Sequence, residues 1–232
     1  IYTSGTGGLP KGVMLPHRAI LHNCRAAGEV LSEISSGENV FLSLLPLSHA
    51  YEHTAGQFLP IALGAQIYYA ESVDKVALNI REAQPTLISA VPRFYELMRQ
   101  RITAEAHKAG GWREKLFRAT LAIGTKRYTA KRALPLGLRL ADALLDVLVR
   151  RAIRERFGGR LRAMVSGGAP LNPEVGLFFV ALGLPVYQGF GQAEAAPLIS
   201  VNRAGSLKVD TVGQPLKDVE VRIADDGEIL VR

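Results

Sequence analysis

The residues most able to do chemistry stand at the start of the chain, in Tyr2-Thr3-Ser4-Gly5-Thr6-Gly7-Gly8-Leu9-Pro10-Lys11-Gly12. Glycines let successive backbone N–H groups converge on an anion. The hydroxyls of Thr3, Ser4 and Thr6 add donors, and Lys11 adds a positive charge. Such a segment suits a chain of phosphates. It is not a Walker A loop: with Lys11 as that motif's lysine, Pro10 stands where glycine is required and Gly12 where Ser or Thr is required. Pro10 also argues against a helix that opens directly on the phosphates.

Three further segments follow in a recognisable order: Pro46-Leu47-Ser48-His49-Ala50-Tyr51-Glu52, Ser166-Gly167-Gly168-Ala169-Pro170-Leu171 and Tyr187-Gln188-Gly189-Phe190-Gly191-Gln192-Ala193-Glu194. Together with the first segment they resemble the adenylate-forming (AMP-binding) enzymes, whose phosphate loop reads YTSGTTGxPKG and whose later motif reads YGxTE. The closing Gly227-Glu228-Ile229-Leu230-Val231-Arg232 is similar to the stretch before that family's ribose-binding Asp. The resemblance therefore runs over essentially the whole chain.

It implies an enzyme that joins a carboxylate to the α-phosphate of ATP, releases pyrophosphate and passes the acyl group to coenzyme A. Donors and Mg²⁺ would neutralise the charge that spreads over the phosphoryl oxygens. By position, Thr3, Ser4, Gly5, Thr6, Gly7, Gly8 and Lys11 would hold the β- and γ-phosphates. Glu194 would ligate Mg²⁺ as a hard oxygen donor. Gly167, Gly168, Ala169 and Pro170 would let the backbone approach the adenine, and Phe190 would stack on it beside Gln188, Gly189, Gly191 and Ala193. His49 would stand beside the acyl carboxylate. Two positions depart from the pattern, since Gly7 and Ala193 occupy sites where the family has Thr. A charge-assisted hydrogen bond contributes about 1.5–3 kcal/mol, so losing two would slow turnover more than it would weaken nucleotide binding.

The elements that must carry these residues alternate. Helical spacing of Ile20, Cys24, Ala27 and Leu31 predicts a helix over 17–32, and short apolar runs predict strands at 40–45, 65–70, 86–91, 161–166 and 184–190. Helices are predicted over 52–63, 74–83, 93–106 (with Pro92 at its start) and 173–182. Apolar runs this dense suit strands covered on both faces, hence an α/β fold with a mostly parallel sheet flanked by helices. Gly110-Gly111 interrupts the alternation. Two long basic helices follow, 112–134 and 136–157, the second with an apolar stripe at Leu138, Ala141, Leu145, Leu148, Val149 and Ala152. From Lys208 the texture turns to period-2 segments with Asp-Asp-Gly and Pro-Leu-Lys-Asp turns, the expected start of an antiparallel β subdomain. The organisation expected is an α/β core over 1–204, holding a basic helical insertion at 103–160, and the truncated β subdomain over 205–232. The chain reads as an internal piece of a longer polypeptide, unable to complete the reaction alone.

Composition narrows the class. Of 232 residues 48% are hydrophobic and 21% charged, a globular balance that excludes wholesale disorder. The single cysteine, Cys24, excludes an internal disulfide framework and suits a reducing, cytoplasmic setting. The net charge of +7 is local: residues 103–160 hold 14 Lys/Arg against 5 Asp/Glu, while the rest is slightly acidic. That distribution, without any nucleic-acid motif, argues against nucleic acid and points to peripheral membrane contact through 103–160. The wording of PLSHAYE, of Val91-Pro92-Arg93-Phe94-Tyr95-Glu96 and of the basic insertion most resembles long-chain fatty acyl-CoA synthetases. The expected substrate is a long- or medium-chain fatty acid. A non-catalytic nucleotide- or acyl-binding homologue is the alternative that Gly7 and Ala193 suggest, and an aryl- or amino-acid-adenylating domain is another, with Glu52 the one carboxylate near the acyl position.

Overall fold

The computed structural model describes residues 1–3, 9–35, 37–130 and 133–232. In chain order the elements begin with a two-residue ribbon, β1 (Tyr2–Thr3) and β2 (Lys11–Gly12), then α1 (His17–Ser32), β3 (Val40–Ser43), α2 (Ala50–Glu52), a π turn over His53–Phe58, α3 (Leu59–Ala62) and β4 (Gln66–Tyr69). Next come α4 (Val76–Ala83), β5 (Leu87–Ala90), α5 (Pro92–Ala109), α6 (Gly111–Thr129), α7 (Leu136–Leu145), a second π turn over Asp146–Arg150, and α8 (Arg151–Arg156). The chain finishes with β6 (Ala163–Ser166), α9 (Pro173–Ala181), β7 (Val186–Gly191), a 3₁₀ turn at Ala193–Ala195, β8 (Leu198–Val201), β9 (Gln214–Pro215), β10 (Val221–Ile223) and β11 (Ile229–Val231).

Seven strands form one sheet in the order β4-β3-β5-β6-β7-β8-β9. The first five run parallel, and β8 and β9 are added antiparallel. The strand residues β3 and β5 are buried throughout, as apolar runs without polar alternation require. Neighbouring residues feed opposite layers. Phe41, Leu87 and Ala163 pack with Cys24, Ala27 and Leu31 of α1. Leu42, Ile88 and Met164 pack with Ile80, Tyr95, Phe117 and Phe179 from the helices of the other face.

The predicted elements form, with four differences. The helix expected over 112–134 ends at Thr129, where Ala130 turns extended. The 52–63 helix contains a π turn, so one extra residue is accommodated there. The 208–216 stretch contributes only Gln214–Pro215 as strand, and it joins the main sheet; β10 and β11 pair with each other as a hairpin. The apolar stripe expected along 136–157 is displaced. Leu145 is buried, but Leu148 is half exposed and Ala152 faces solvent. The π turn over Asp146–Arg150 rotates the later residues and brings Arg150, Ile153 and Phe157 inward instead. The fully buried Arg150 is satisfied: its Nε donates to Ala181 O at 2.8 Å, Nη1 to Asp142 O at 3.1 Å and Nη2 to Asp142 Oδ1 at 2.6 Å. Arg127 pairs with Asp142 and Arg154 with Asp146, so several of the insertion's cations serve its own packing.

The insertion is held on the core where α6 crosses α9. A Cβ on Gly124 would lie 2.4 Å from Ala181 O, so the backbones meet at a spot only glycine permits. Gly124→Ala is expected to destabilise the protein by about 1–3 kcal/mol through forced separation of the two helices. The midpoint of urea unfolding measures it.

Candidate active site

Parallel strands place all their C-terminal ends on one edge, and loops leaving that edge are where α/β folds bind ligands. Here the edge opens into a cleft of about 530 Å³. Its floor and walls come from four of the segments singled out in the sequence: Tyr2 and Thr3; Pro46, Ser48, His49 and Tyr51; Ser166, Gly167 and Gly168; and Gly189, Phe190, Gly191, Gln192 and Ala193. Residues some 190 positions apart in sequence are thus gathered around one space.

Glycines set how close these walls approach. Gly167 lies under the Tyr51 ring, where a Cβ would sit 3.1 Å from Cζ. At Gly191 a Cβ would lie 2.1 Å from Pro197 O, within a register shift between β7 and β8. Gly168 holds φ +82°, the left-handed region that glycine adopts without strain. These positions let a planar or phosphorylated ligand approach main chain. Ser166 adds a polar signal: its side chain is fully buried at the cleft, and its Oγ has no hydrogen-bond partner among the described residues. A buried hydroxyl without a partner at the end of a strand is a group the packed fold leaves unsatisfied.

His49 caps α2. Its Nδ1 accepts the Tyr51 N–H at 3.2 Å, so the neutral ring carries its proton on Nε2 and offers a donor. Tyr51 donates its hydroxyl to Val165 O at 3.1 Å, and burial raises its phenol above the ordinary range. Tyr51, Val165, Pro197 and Leu198 also line a second space, an apolar slot of about 60 Å³ between α1, the first π turn and the sheet. Those four residues form the wall between the polar cleft and the apolar slot.

The remaining candidates fall in different places. Lys11 is exposed on β2, in register with Thr3 across the ribbon. Glu194 is exposed in the 3₁₀ turn after the cleft-lining Gln192 and Ala193, with no ion pair among the described residues. Ala169 and Pro170 are exposed beyond Gly168. Ser4, Gly5, Thr6, Gly7 and Gly8 lie outside the described residues. Gln188 is buried and does not line the cleft: its Oε1 accepts the Leu171 N–H and its Nε2 donates to Thr211 O at 3.1 Å. It secures the 166–171 turn to β7, because both ends of its amide are used inside the protein. Glu52 lines neither space, since it is fully buried against the sheet. Tyr51 and Ser166 sit inside the quoted motifs, yet residue type alone did not single them out: a Tyr between His and Glu and a Ser before two glycines carry no chemistry until folding shows what they face. Among the described residues no group of three or more His, Cys, Asp or Glu could hold a metal, which leaves Glu194 as a single carboxylate. One carboxylate with phosphate oxygens and waters is a usual setting for Mg²⁺.

A glycine-walled cleft at the C-terminal edge of a parallel sheet is the ligand position of an α/β fold. The chain belongs to the AMP-binding enzyme family, whose sequence model matches residues 1–232. It is 36% identical over 98% of its length to long chain acyl-CoA synthetase 6, peroxisomal, of Arabidopsis thaliana, covering 31% of that protein. It is 32% identical over its whole length to long-chain-fatty-acid–CoA ligase FadD15 of Mycobacterium bovis, covering 38% of it. The chain therefore spans about a third of the curated relatives it matches. Among solved structures it superposes on a malonyl-CoA ligase complex with methylmalonyl-CoA and AMP bound, with a TM-score of 0.64 and 25% identity, over the whole chain and 42% of that protein. It shares its fold with a long-chain-fatty-acid-CoA ligase from Archaeoglobus fulgidus, with a TM-score of 0.63 and 19% identity, over 99% of this chain and 38% of that one.

The orphaned hydroxyl makes a two-part expectation. Ser166→Ala removes a buried group that has no partner, so thermal stability should hold or rise. If the hydroxyl meets the nucleotide, ATP affinity should fall about fivefold to tenfold, the weight of one neutral hydrogen bond. Differential scanning fluorimetry with and without ATP reads both.

Proposed function

We propose that this chain is the nucleotide- and acid-binding part of an AMP-forming ligase for long- or medium-chain fatty acids. The observation that carries the reading is the shared wall: a cleft with polar and apolar lining, large enough for a nucleotide, and an apolar slot with room for the first methylenes of an alkyl chain meet at Tyr51, Val165, Pro197 and Leu198. A fatty acid needs that pairing, with its carboxylate in the cleft and its chain in the slot. With Glu52 buried away from both spaces, no carboxylate lines either of them among the described residues, which favours a fatty acid over an amino acid.

In the first step a carboxylate oxygen forms a bond to the α-phosphorus of ATP, and the bond to the bridging oxygen breaks, so pyrophosphate leaves. In the second, the thiol of coenzyme A gives up its proton to solvent, its sulfur bonds to the acyl carbon and AMP departs with the carboxylate oxygen. His49, with a donor on Nε2, is positioned to orient the carboxylate. The backbone at Gly167, Gly168, Gly189 and Gly191 gives the adenylate close access, with Phe190 against the base. Lys11, with Thr3, serves the outer phosphates. Mg²⁺, held through Glu194 when bound, would screen the phosphoryl oxygens. Preorganised donors of this kind are usually the largest catalytic contribution.

The insertion offers a place for the protein to meet the bilayer from which such acids come. Leu136, Leu140, Leu144, Val147 and Leu148 recur at helical spacing and are all more than half exposed, with exposed Arg139 and Arg151 beside them. None of the helices is long and apolar enough to cross a membrane among the described residues, so the contact would be peripheral. Binding to vesicles with anionic lipid should fall with added salt and with Leu140→Glu/Leu144→Glu. Binding that ignores both changes would remove this surface from the reading.

The activity is tested by pyrophosphate exchange in the full-length protein with ATP, Mg²⁺ and palmitate. Lys11→Ala and Glu194→Gln should each lower exchange about 10²-fold with little change in melting temperature. ATP binding with background exchange for every acid tried would favour a non-catalytic nucleotide binder, the alternative that Ala193 at the cleft wall supports.

A further inference from the structure

The buried carboxylate of Glu52 has no part in the scheme above, yet it is the most enclosed acidic group near the cleft. It is fully inaccessible, and among the described residues no cation pairs with it. Its Oε1 accepts the Ser43 hydroxyl at 2.5 Å and the Leu44 N–H at 3.1 Å, and its Oε2 accepts the Ser89 hydroxyl at 3.2 Å. Ser43 ends β3 and Ser89 lies in the adjacent parallel strand β5, so the carboxyl straddles the C-terminal edge of two central strands. Burial pushes this carboxyl above its ordinary range, while the hydroxyl and N–H donors pull the other way. A buried acid is costly unless its oxygens are satisfied, and here hydroxyls and main chain satisfy them.

The neighbourhood is shaped around it. One turn later Gly56 has no side chain, and a Cβ there would lie 2.3 Å from Glu52 Oε1. The π turn over His53–Phe58 begins at the next residue. On either side of Glu52, the same element reaches the site twice: Tyr51 donates to Val165 O in the shared wall, and Thr54 donates to Ala196 O at 3.5 Å, just after the turn that carries Glu194. An apolar anchor would let this short element roll. Three directed hydrogen bonds to two strands do not, because rotation would break them all.

We propose that Glu52 is a positioning residue that locks the roll of the His49–Thr54 element, and so fixes the wall between the nucleotide cleft and the apolar slot. The proposal rests on the fatty-acid reading for its kinetic consequence and on the hydrogen-bond geometry for its structural one. Removing the carboxyl should free the turn locally and loosen the acid end of the site more than the nucleotide end.

The test uses the full-length protein with Glu52→Ala, Glu52→Gln and the milder Ser89→Ala. Hydrogen–deuterium exchange should rise at least tenfold over residues 46–58 in Glu52→Ala while the amides of β5 and β6 stay protected. In pyrophosphate exchange the KM for palmitate should rise at least tenfold with the KM for ATP within twofold of the parent. Glu52→Gln, which keeps an acceptor for Ser43 and Leu44, should recover most of both effects, and Ser89→Ala should give a smaller shift in the same direction. Exchange that rises throughout the sheet, or an acid KM that stays put while 46–58 loosens, would overturn the proposal and leave Glu52 as a packing residue. If Glu52→Ala does not fold, Ser89→Ala decides by the same two readouts. If the parent protein itself shows no acid-dependent exchange, the fatty-acid reading fails, and the deuterium pattern alone then decides whether Glu52 holds the turn.

Discussion

Hydrogen bonding at the C-terminal edge of the parallel sheet is the constraint on which the site depends. Strands that run in one direction expose their last carbonyls and their outgoing loops together, and those groups need partners. Here the partners come from one short element and from Tyr95 of α5. Tyr51 takes the carbonyl of Val165, Tyr95 takes the same carbonyl at 2.7 Å from below, and Glu52 collects the hydroxyls of Ser43 and Ser89. The cleft has a definite wall because the strand ends are tied to it by polar bonds rather than covered by interchangeable apolar contacts.

The antiparallel strands complete the other side. β7 continues past the parallel region and turns back through a 3₁₀ turn into β8, with Gly191 against Pro197 O and Asn23 of α1 bonded to Leu198 at both its main-chain groups. Asn202 and Gln188 bind the Thr211 carbonyl from two sides, fixing the 208–213 turn against β7. Polar side chains near the nucleotide motifs therefore divide into two kinds. Some, such as Ser166, are buried beside the cleft without a partner, and others, such as Gln188, are fully used in holding the cleft's walls.

The basic insertion shows the same division of labour. Its charge read as a surface property, but the buried Arg150 and the partly exposed Arg127 and Arg154 are engaged with Asp142 and Asp146. What remains outside is an apolar row over 136–148 that begins on α7 and runs into a π turn. A single extra residue per turn moved the stripe about a quarter of the way round the helix and exchanged Leu148 for Arg150 on the inner face.

Sequence alone determined the fold class, the order of the strands and helices, and which four segments meet at the site. The fold class and element order depend on local periodicity, since runs such as VFLS and LISA are too apolar for a one-sided sheet; the first segment depends on glycine, hydroxyl and lysine suiting phosphate, and the other three on their resemblance to the family's motifs. Sequence could not decide which member of each motif faces the ligand. Gln188 and Ser166 are both polar and both buried, and only the pairing of β6 with β7 and the approach of Leu171 and Thr211 separate the one that is satisfied from the one that is not. Glu52 read as the one carboxylate near the acyl position, and the tertiary structure turned it into the sheet, because its neighbours in space, Ser43 and Ser89, are far apart in sequence and come together only when β3 and β5 pair. Hydrogen-bond satisfaction is a property of the packed chain, and no local pattern records it.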